Sequence, residues 1–242
     1  MTSYSTETLR CFCCGKSSEH NVLMSTNSRG SPDLDQRQAG MMRSTIDSWL
    51  QECSYCGYVA ADIEAEDAVA RTFVDTAEFR AASLDPLPDT VARRFLVRAA
   101  LDIYSGDQKS AFLHTLKAAW VADDNKHTSE AAALRLKAAA HLAGSKIRSI
   151  DTRLLLLDVL RRASSWEAAE ALVAELAAEG LEYPFAEIVA FHAGMIEARD
   201  SGGYTIADAL EGKPERRDIE VDSEERLRIL SEHLRKMHKR DG

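Results

Sequence analysis

The chain has 242 residues, 45% hydrophobic and 29% charged, enough apolar material for a packed core. Its formal net charge is −9, the wrong sign for a protein whose affinity comes from gripping phosphate backbones. The longest purely aliphatic run, Leu154 to Leu157, ends at Asp158 and is far too short to span a bilayer.

The first ten residues, Met1 to Arg10, are polar and do not read as a secretory signal. All five cysteines lie before residue 57. An odd number without an export signal argues against a disulfide scaffold and places the chain in a reducing cytoplasm.

Metal binding explains the clustering better. Cys11-Phe12-Cys13-Cys14-Gly15 and Cys53-Ser54-Tyr55-Cys56-Gly57 share the form C-x-x-C-G. Two intervening residues let the chain turn so that both sulfurs converge on one ion, and the glycine suits a turn that needs positive φ. Two such knuckles complete a tetrahedral thiolate shell, the preferred environment of structural zinc. We therefore expect one Zn2+ held by Cys11, Cys14, Cys53 and Cys56. Four protein sulfurs leave no open position for water or substrate. Metal is worth about 10–16 kcal/mol in isolated zinc-finger peptides, so the ribbon is expected to unfold without it while the helices persist. A thioredoxin-type dithiol would want a strand-to-helix junction in an α/β fold, which neither pair has. An iron–sulfur cluster could use the same four thiolates. Cys13 is left over, as a free thiol beside the knuckle, a substitute ligand or a reactive thiol.

Around the cysteines, residues 9–60 form the zinc ribbon. His20 to Thr26 and Thr45 to Gln51 are β-compatible, and Asn27 to Gly40, rich in Ser, Gly, Asp and Gln, reads as a loop. Asp33, Asp35, Arg37 and Arg43 in and beside that loop, with Tyr55 in the second knuckle, are candidate partner-binding residues, since charged and aromatic groups beside a rigid scaffold make a binding surface. Trp49 and Tyr58 read as the ribbon's own small core.

From residue 63 to 211 the pattern is helical. Ile63 to Ser83 has apolar residues near helical spacing, and the acidic run Asp62 to Asp67 favours the start of that helix. The prolines of Asp85-Pro86-Leu87-Pro88 break the chain. Helix-length blocks follow at Val91–Tyr104, Lys109–Ala122, Glu130–Ala143, Thr152–Ala163, a block opened by Ser164 and Glu167 at capping-box spacing, and Phe185–Arg199. Thr205 and Asp208 suit the cap of a short final helix. Short turns force successive helices antiparallel, giving hairpins. The stretch Leu101 to Asp107, with Ala111, Ala118-Ala119-Trp120 and Asp123-Asp124, resembles one tetratricopeptide repeat. Ala163 to Gly180 echoes it loosely and no third copy keeps the register, so an ordinary helical bundle stays open.

Residues 212–242 are a charged linker and tail. Asp222 to Lys239 has capping-box residues Asp222 and Glu225 and a narrow apolar stripe of Leu227, Leu230, Leu234 and Met237.

Asp33-Leu34-Asp35, Arg43-Ser44-Thr45, Trp49-Leu50-Gln51-Glu52 and Cys53 to Tyr58 together resemble the bacterial family called domain of unknown function 2225. The resemblance implies a paired C-x-x-C-G zinc ribbon followed by tetratricopeptide-like helices, and it implies no reaction. Cys13 departs from that family's first knuckle.

No nucleophile elbow, Walker loop or dinucleotide fingerprint occurs, and no histidine is read as pairing with another histidine or a carboxylate at a spacing that puts two metal ligands on one helical face. The fold expected is mainly α, a small zinc ribbon of short strands followed by helical hairpins. The function expected is a protein-binding scaffold whose hairpins take a peptide or helix. The alternatives are a metal- or thiol-dependent enzyme using Cys13, the ribbon cysteines or the acidic residues near the ribbon, and a nucleic-acid-binding ribbon.

Overall fold

A computed structural model describes residues 1–84, 89–143 and 149–211. The tail at 212–242 and its amphipathic pattern lie outside the described residues. The molecule is mainly helical, with a small antiparallel strand pair beside the cysteine cluster.

The polar N-terminus is itself a strand. β1 (Ser3–Arg10) pairs antiparallel with β2 (Ser17–Ser25), and the first knuckle is the turn between them. One helical turn, α1 (Gly40–Arg43), follows the loop, and the stretch expected to be extended, Thr45 to Gln51, is instead mostly a 3₁₀ turn at Ile46–Ser48. Side-chain hydrogen bonds hold it. The Thr45 hydroxyl donates to the Met42 carbonyl and accepts from Trp49 Nε1, and the Ser48 hydroxyl donates to the Thr45 carbonyl. Such local bonds outcompete the β-propensity of Thr45, Ile46 and Trp49. Only β3 (Gln51–Glu52) and β4 (Val59–Ala60) pair, around the second knuckle.

The single helix expected over residues 63–83 is two. α2 (Ala68–Phe73) is capped by Asp67, whose carboxylate accepts from the Ala70 N–H, and α3 (Ala77–Ser83) by Thr76, which accepts from the Phe79 N–H. An internal cap residue restarts a helix because it satisfies donors that the previous turn would otherwise use.

α4 (Thr90–Ser105), α5 (Gln108–Asp124) and α6 (Thr128–His141) then pack in sequence. Asp89 caps α4, Gly106 closes it at φ +84°, and Asp107 opens α5. Next come α7 (Ile150–Arg162), α8 (Trp166–Ala178), α9 (Phe185–Glu197) and α10 (Ile206–Glu211). The capping box expected at Ser164 and Glu167 does not form: Ser164 turns left-handed at φ +57° and Ser165, without a side-chain cap, begins α8. The Thr205–Asp208 box does form, with reciprocal bonds between each side chain and the other's N–H.

Two apolar cores result. The first joins ribbon residues Cys11, Cys53, Tyr58, Val59 and Ile63 to α2 through α7, so the ribbon shares the core of the first helices. The second gathers α7 to α10 and takes in Leu34 from the ribbon's loop. α7 serves both, with Leu155 and Val159 in the first and Leu154 and Leu157 in the second.

Candidate metal centre

The two knuckles are built alike. In the first, Cys11 N–H donates to the Lys16 carbonyl and Gly15 N–H to the Cys11 carbonyl; in the second, Cys53 N–H donates to the Tyr58 carbonyl and Gly57 N–H to the Cys53 carbonyl. Gly15 and Gly57 have φ of +72° and +73°. At Gly57 a Cβ would also lie 3.1 Å from Phe79 Cζ, so both the turn and the close approach of α3 require glycine there.

The sulfurs of Cys11, Cys14, Cys53 and Cys56 all lie within 4.8 Å of one another. Cys11 and Cys56 are 3.7 Å apart, and Cys14 and Cys53 3.6 Å. A tetrahedral centre with metal–sulfur bonds of about 2.3 Å has sulfur–sulfur edges of about 3.8 Å, so the four side chains fit one metal ion. All five cysteines are free of disulfides. Without a cation the cluster resists ionisation. Burial pushes the thiols of Cys11 and Cys56 up; it also opposes the Cys53 thiolate, but the backbone amides of Cys56 and Tyr55 outweigh it and bring that pKa down. Four thiolates at this spacing therefore call for a positive ion at their centre.

The helices hold the knuckles in place. Arg71 of α2 donates to the Phe12 carbonyl and lies over the Phe12 ring at 4.2 Å, and the Phe12 N–H donates to the Ile63 carbonyl. Arg94 of α4 donates to the Leu50 carbonyl. Cys13 stands outside the four-sulfur cluster and packs partly buried against the first core. Burial, with the charges of Cys11 and Asp67, pushes its thiol up to about 12.

Of the charged residues proposed as a partner surface, three face inward. Asp33, Asp35 and Arg37 are buried, and Asp35 is the centre of a charge network in which the Nε atoms of Arg37, Arg135 and Arg162 have no hydrogen-bond partner among the described residues. Its Oδ2 accepts from Trp120 Nε1 and Arg162 Nη1, both at 2.8 Å, with Arg135 at 3.6 Å. Arg135 and Arg162 also bind Asp123, and Arg37 binds Asp124. Arg43, partly exposed, pairs with Asp33. Burial and the Asp35 charge push the Asp33 carboxyl up, against the pull of Arg43; burial likewise opposes the Asp123 carboxylate, but Arg135 and Arg162 bring its pKa below the usual range. Beside these, Leu34 N–H donates to the Tyr204 carbonyl and Ile206 N–H to the Pro32 carbonyl. The physical reason for the inward turn is pairing: a buried carboxylate needs its charge met, and the arginines of α6 and α7 meet it. Tyr55 stays on the surface, 59% exposed with Lys16 Nζ 4.8 Å from its ring centre. It borders an open groove with Thr8, Ser17, Ser18, Glu19 and Ser54.

A histidine–carboxylate pair escaped the sequence. His114 Nδ1 of α5 lies 2.6 Å from Asp102 Oδ2 of α4, and Arg98 Nε donates to the other oxygen. Burial lowers the His114 pKa, with Asp102 working in the other direction. The twelve-residue separation crosses a helical turn, so no local spacing announces it. Among the described residues no serine, threonine or cysteine hydrogen-bonds His114.

The chain matches no family model, no curated protein and no solved structure. No helix among the described residues is long and apolar enough to cross a membrane.

Proposed function

We propose that the chain is a non-enzymatic scaffold in which one structural Zn2+ fixes the N-terminal ribbon against a helical array that takes a peptide or helix of another protein. The observation that carries this reading is the set of four sulfurs close enough to share one ion, with the first knuckle tied to α2 by Arg71 and the segment before the second tied to α4 by Arg94. Such a centre leaves the metal no coordination position for substrate, and when bound the ion supplies cross-linking and no chemistry. Zinc is favoured over iron by the paired C-x-x-C-G knuckles, each with its glycine. The free thiols fit a reducing cytoplasm. Kinship with domain of unknown function 2225 belongs to this reading and rests on the motif residues alone.

The contact point we favour is the small cleft of about 70 Å³ lined by Ala82 of α3, Leu96, Ala100 and Ile103 of α4, Thr115 of α5 and Lys137 of α6, which has room for one side chain of a docked peptide rather than for the peptide itself. Three strands of evidence weigh against the rival readings. Cys13 is partly buried against the first core, no serine, threonine or cysteine among the described residues hydrogen-bonds His114, and the net charge is negative.

The test is capture of partners by the full chain beside Ala100→Arg, which fills the cleft. A defined partner held by the wild type and lost by the variant, with helicity unchanged, is the expected result. Equal capture by both chains, or a turnover that Cys13→Ser abolishes, would overturn the reading.

A further inference from the structure

The chain is acidic overall, yet one corner of it is not. Along one side of α4 stand Arg94, Arg98 and Asp102, each a helical turn from the next, and His114 and Lys117 stand a turn apart on α5. Asp102 is the carboxylate that meets them, with a side chain only 3% exposed. Arg98 Nε lies 3.1 Å from one of its oxygens and His114 Nδ1 2.6 Å from the other. Arg94 donates to the Leu50 carbonyl and has no carboxylate partner among the described residues. Lys117, half-buried, has neither a hydrogen bond nor an ion pair there; its ammonium lies 5.9 Å from the centre of the Trp49 ring. Burial lowers the Lys117 pKa, Asp102 pulls it back and Arg98 adds to the fall.

The ribbon contributes a second unmet donor. Tyr58 is 2% exposed, yet its hydroxyl has no hydrogen-bond partner among the described residues. Burial and the Asp67 charge push that hydroxyl up to about 12, and Arg98 is the cation that works against them. Donors withdrawn from water without an acceptor are costly, and an anion placed among them recovers that cost.

The histidine narrows the choice of anion. A ring nitrogen this close to a carboxylate oxygen carries its proton there, and burial, against the pull of Asp102, holds the His114 pKa below 6.5. A neutral imidazole protonated on Nδ1 presents Nε2 as an acceptor, and this Nε2 has no partner among the described residues. The corner therefore offers donors at Arg98, Lys117 and Tyr58 and an acceptor at His114. A carboxylate only accepts. A phosphate group that keeps one acid proton accepts through its bare oxygens and donates through P–O–H, and the planar guanidinium fork suits it.

We propose that this corner binds one phosphate group, its oxygens taken by Arg98, Lys117 and Tyr58 and its remaining proton by His114 Nε2. A single phosphate is a smaller demand than a nucleic-acid backbone, so the acidic composition does not oppose it. Arg94, Arg98 and Asp102 lie around the helix from Leu96, Ala100 and Ile103, so the site holds or fails independently of the small cleft those residues line.

The experiment titrates the full chain with sodium phosphate, O-phosphoserine and sodium acetate at neutral pH and constant ionic strength. The His114 ring nitrogens are followed by long-range proton–nitrogen NMR, their signal assigned by its loss in His114→Gln. The expected result is a saturable shift of Nε2 with one or both phosphates and none with acetate. Saturation by inorganic phosphate alone identifies a free ion as the ligand, and saturation by phosphoserine a phosphorylated side chain. Lys117→Met should weaken binding about tenfold or more, and Lys117→Arg should restore most of it, with circular dichroism unchanged in both. No saturable shift with either phosphate, an equal shift with acetate, or binding by Lys117→Met as tight as the wild type's would each overturn the proposal.

Discussion

Asp35 shows how much a single side chain can hold together. It is buried to 1% exposure and its carboxylate receives Trp120, Arg162 and Arg135. Removing one partner of a buried charge cluster leaves the others uncompensated, at a cost of about 3–5 kcal/mol. Asp35→Ala should therefore lower the urea-derived stability by that amount, whereas a loss under about 1 kcal/mol, the range of an exposed ion pair, would mean that Asp35 does not hold these arginines as described. Cys13 and Cys53 make the opposite contrast. Cys53→Ser should abolish stoichiometric metal binding and Cys13→Ser should leave it intact, read by metal content per chain. The four ligands were legible in the sequence because each knuckle is a local spacing. The Asp35 network was not, because its partners lie 85 and 127 residues away and an aspartate in a polar loop looks the same whether it faces water or an arginine.

At the scale of elements, the long helices were legible because their apolar spacing agrees with the packing, and the short α10 because Thr205 and Asp208 cap its start. The segments next to the metal centre were less so. Residues 45–51 carry β-branched and aromatic side chains, yet hydroxyl-to-backbone bonds wind them into a 3₁₀ turn. α9 adds a consequence for pH. His192 is fully buried, neither ring nitrogen has a hydrogen-bond partner, and Asp158, 4.0 Å away, is already held by Arg161. Burial, helped by the Arg161 charge, lowers its pKa from 6.5 to about 3. The unfolded chain then binds a proton that the folded chain refuses. Stability is complete above about pH 6.5 and falls as the pH drops toward 3, by at most about 1.4 kcal/mol per unit from this residue. His192→Leu should flatten that slope in denaturant titrations between pH 6.5 and 4; an unchanged slope would assign it to other groups.

Across the whole molecule, the ribbon and the helices are one structure. Cys11, Cys53, Tyr58 and Ile63 share a core with α4 and α5, and the loop between the knuckles places Leu34 in the second core. The sequence led us to expect a ribbon that unfolds alone; the shared core predicts that metal removal also lowers hydrogen-exchange protection in α4 and α5. Protection lost only before residue 61 would restore the independent ribbon. The central claim is that four cysteines close on one structural zinc, and elemental mass spectrometry of chain expressed without added metal tests it most directly. The account predicts about one zinc per chain in the wild type and in Cys13→Ser, and none in Cys53→Ser. Iron in its place, metal that survives Cys53→Ser, or a metal-free wild type that readily forms a disulfide between the knuckles would contradict it.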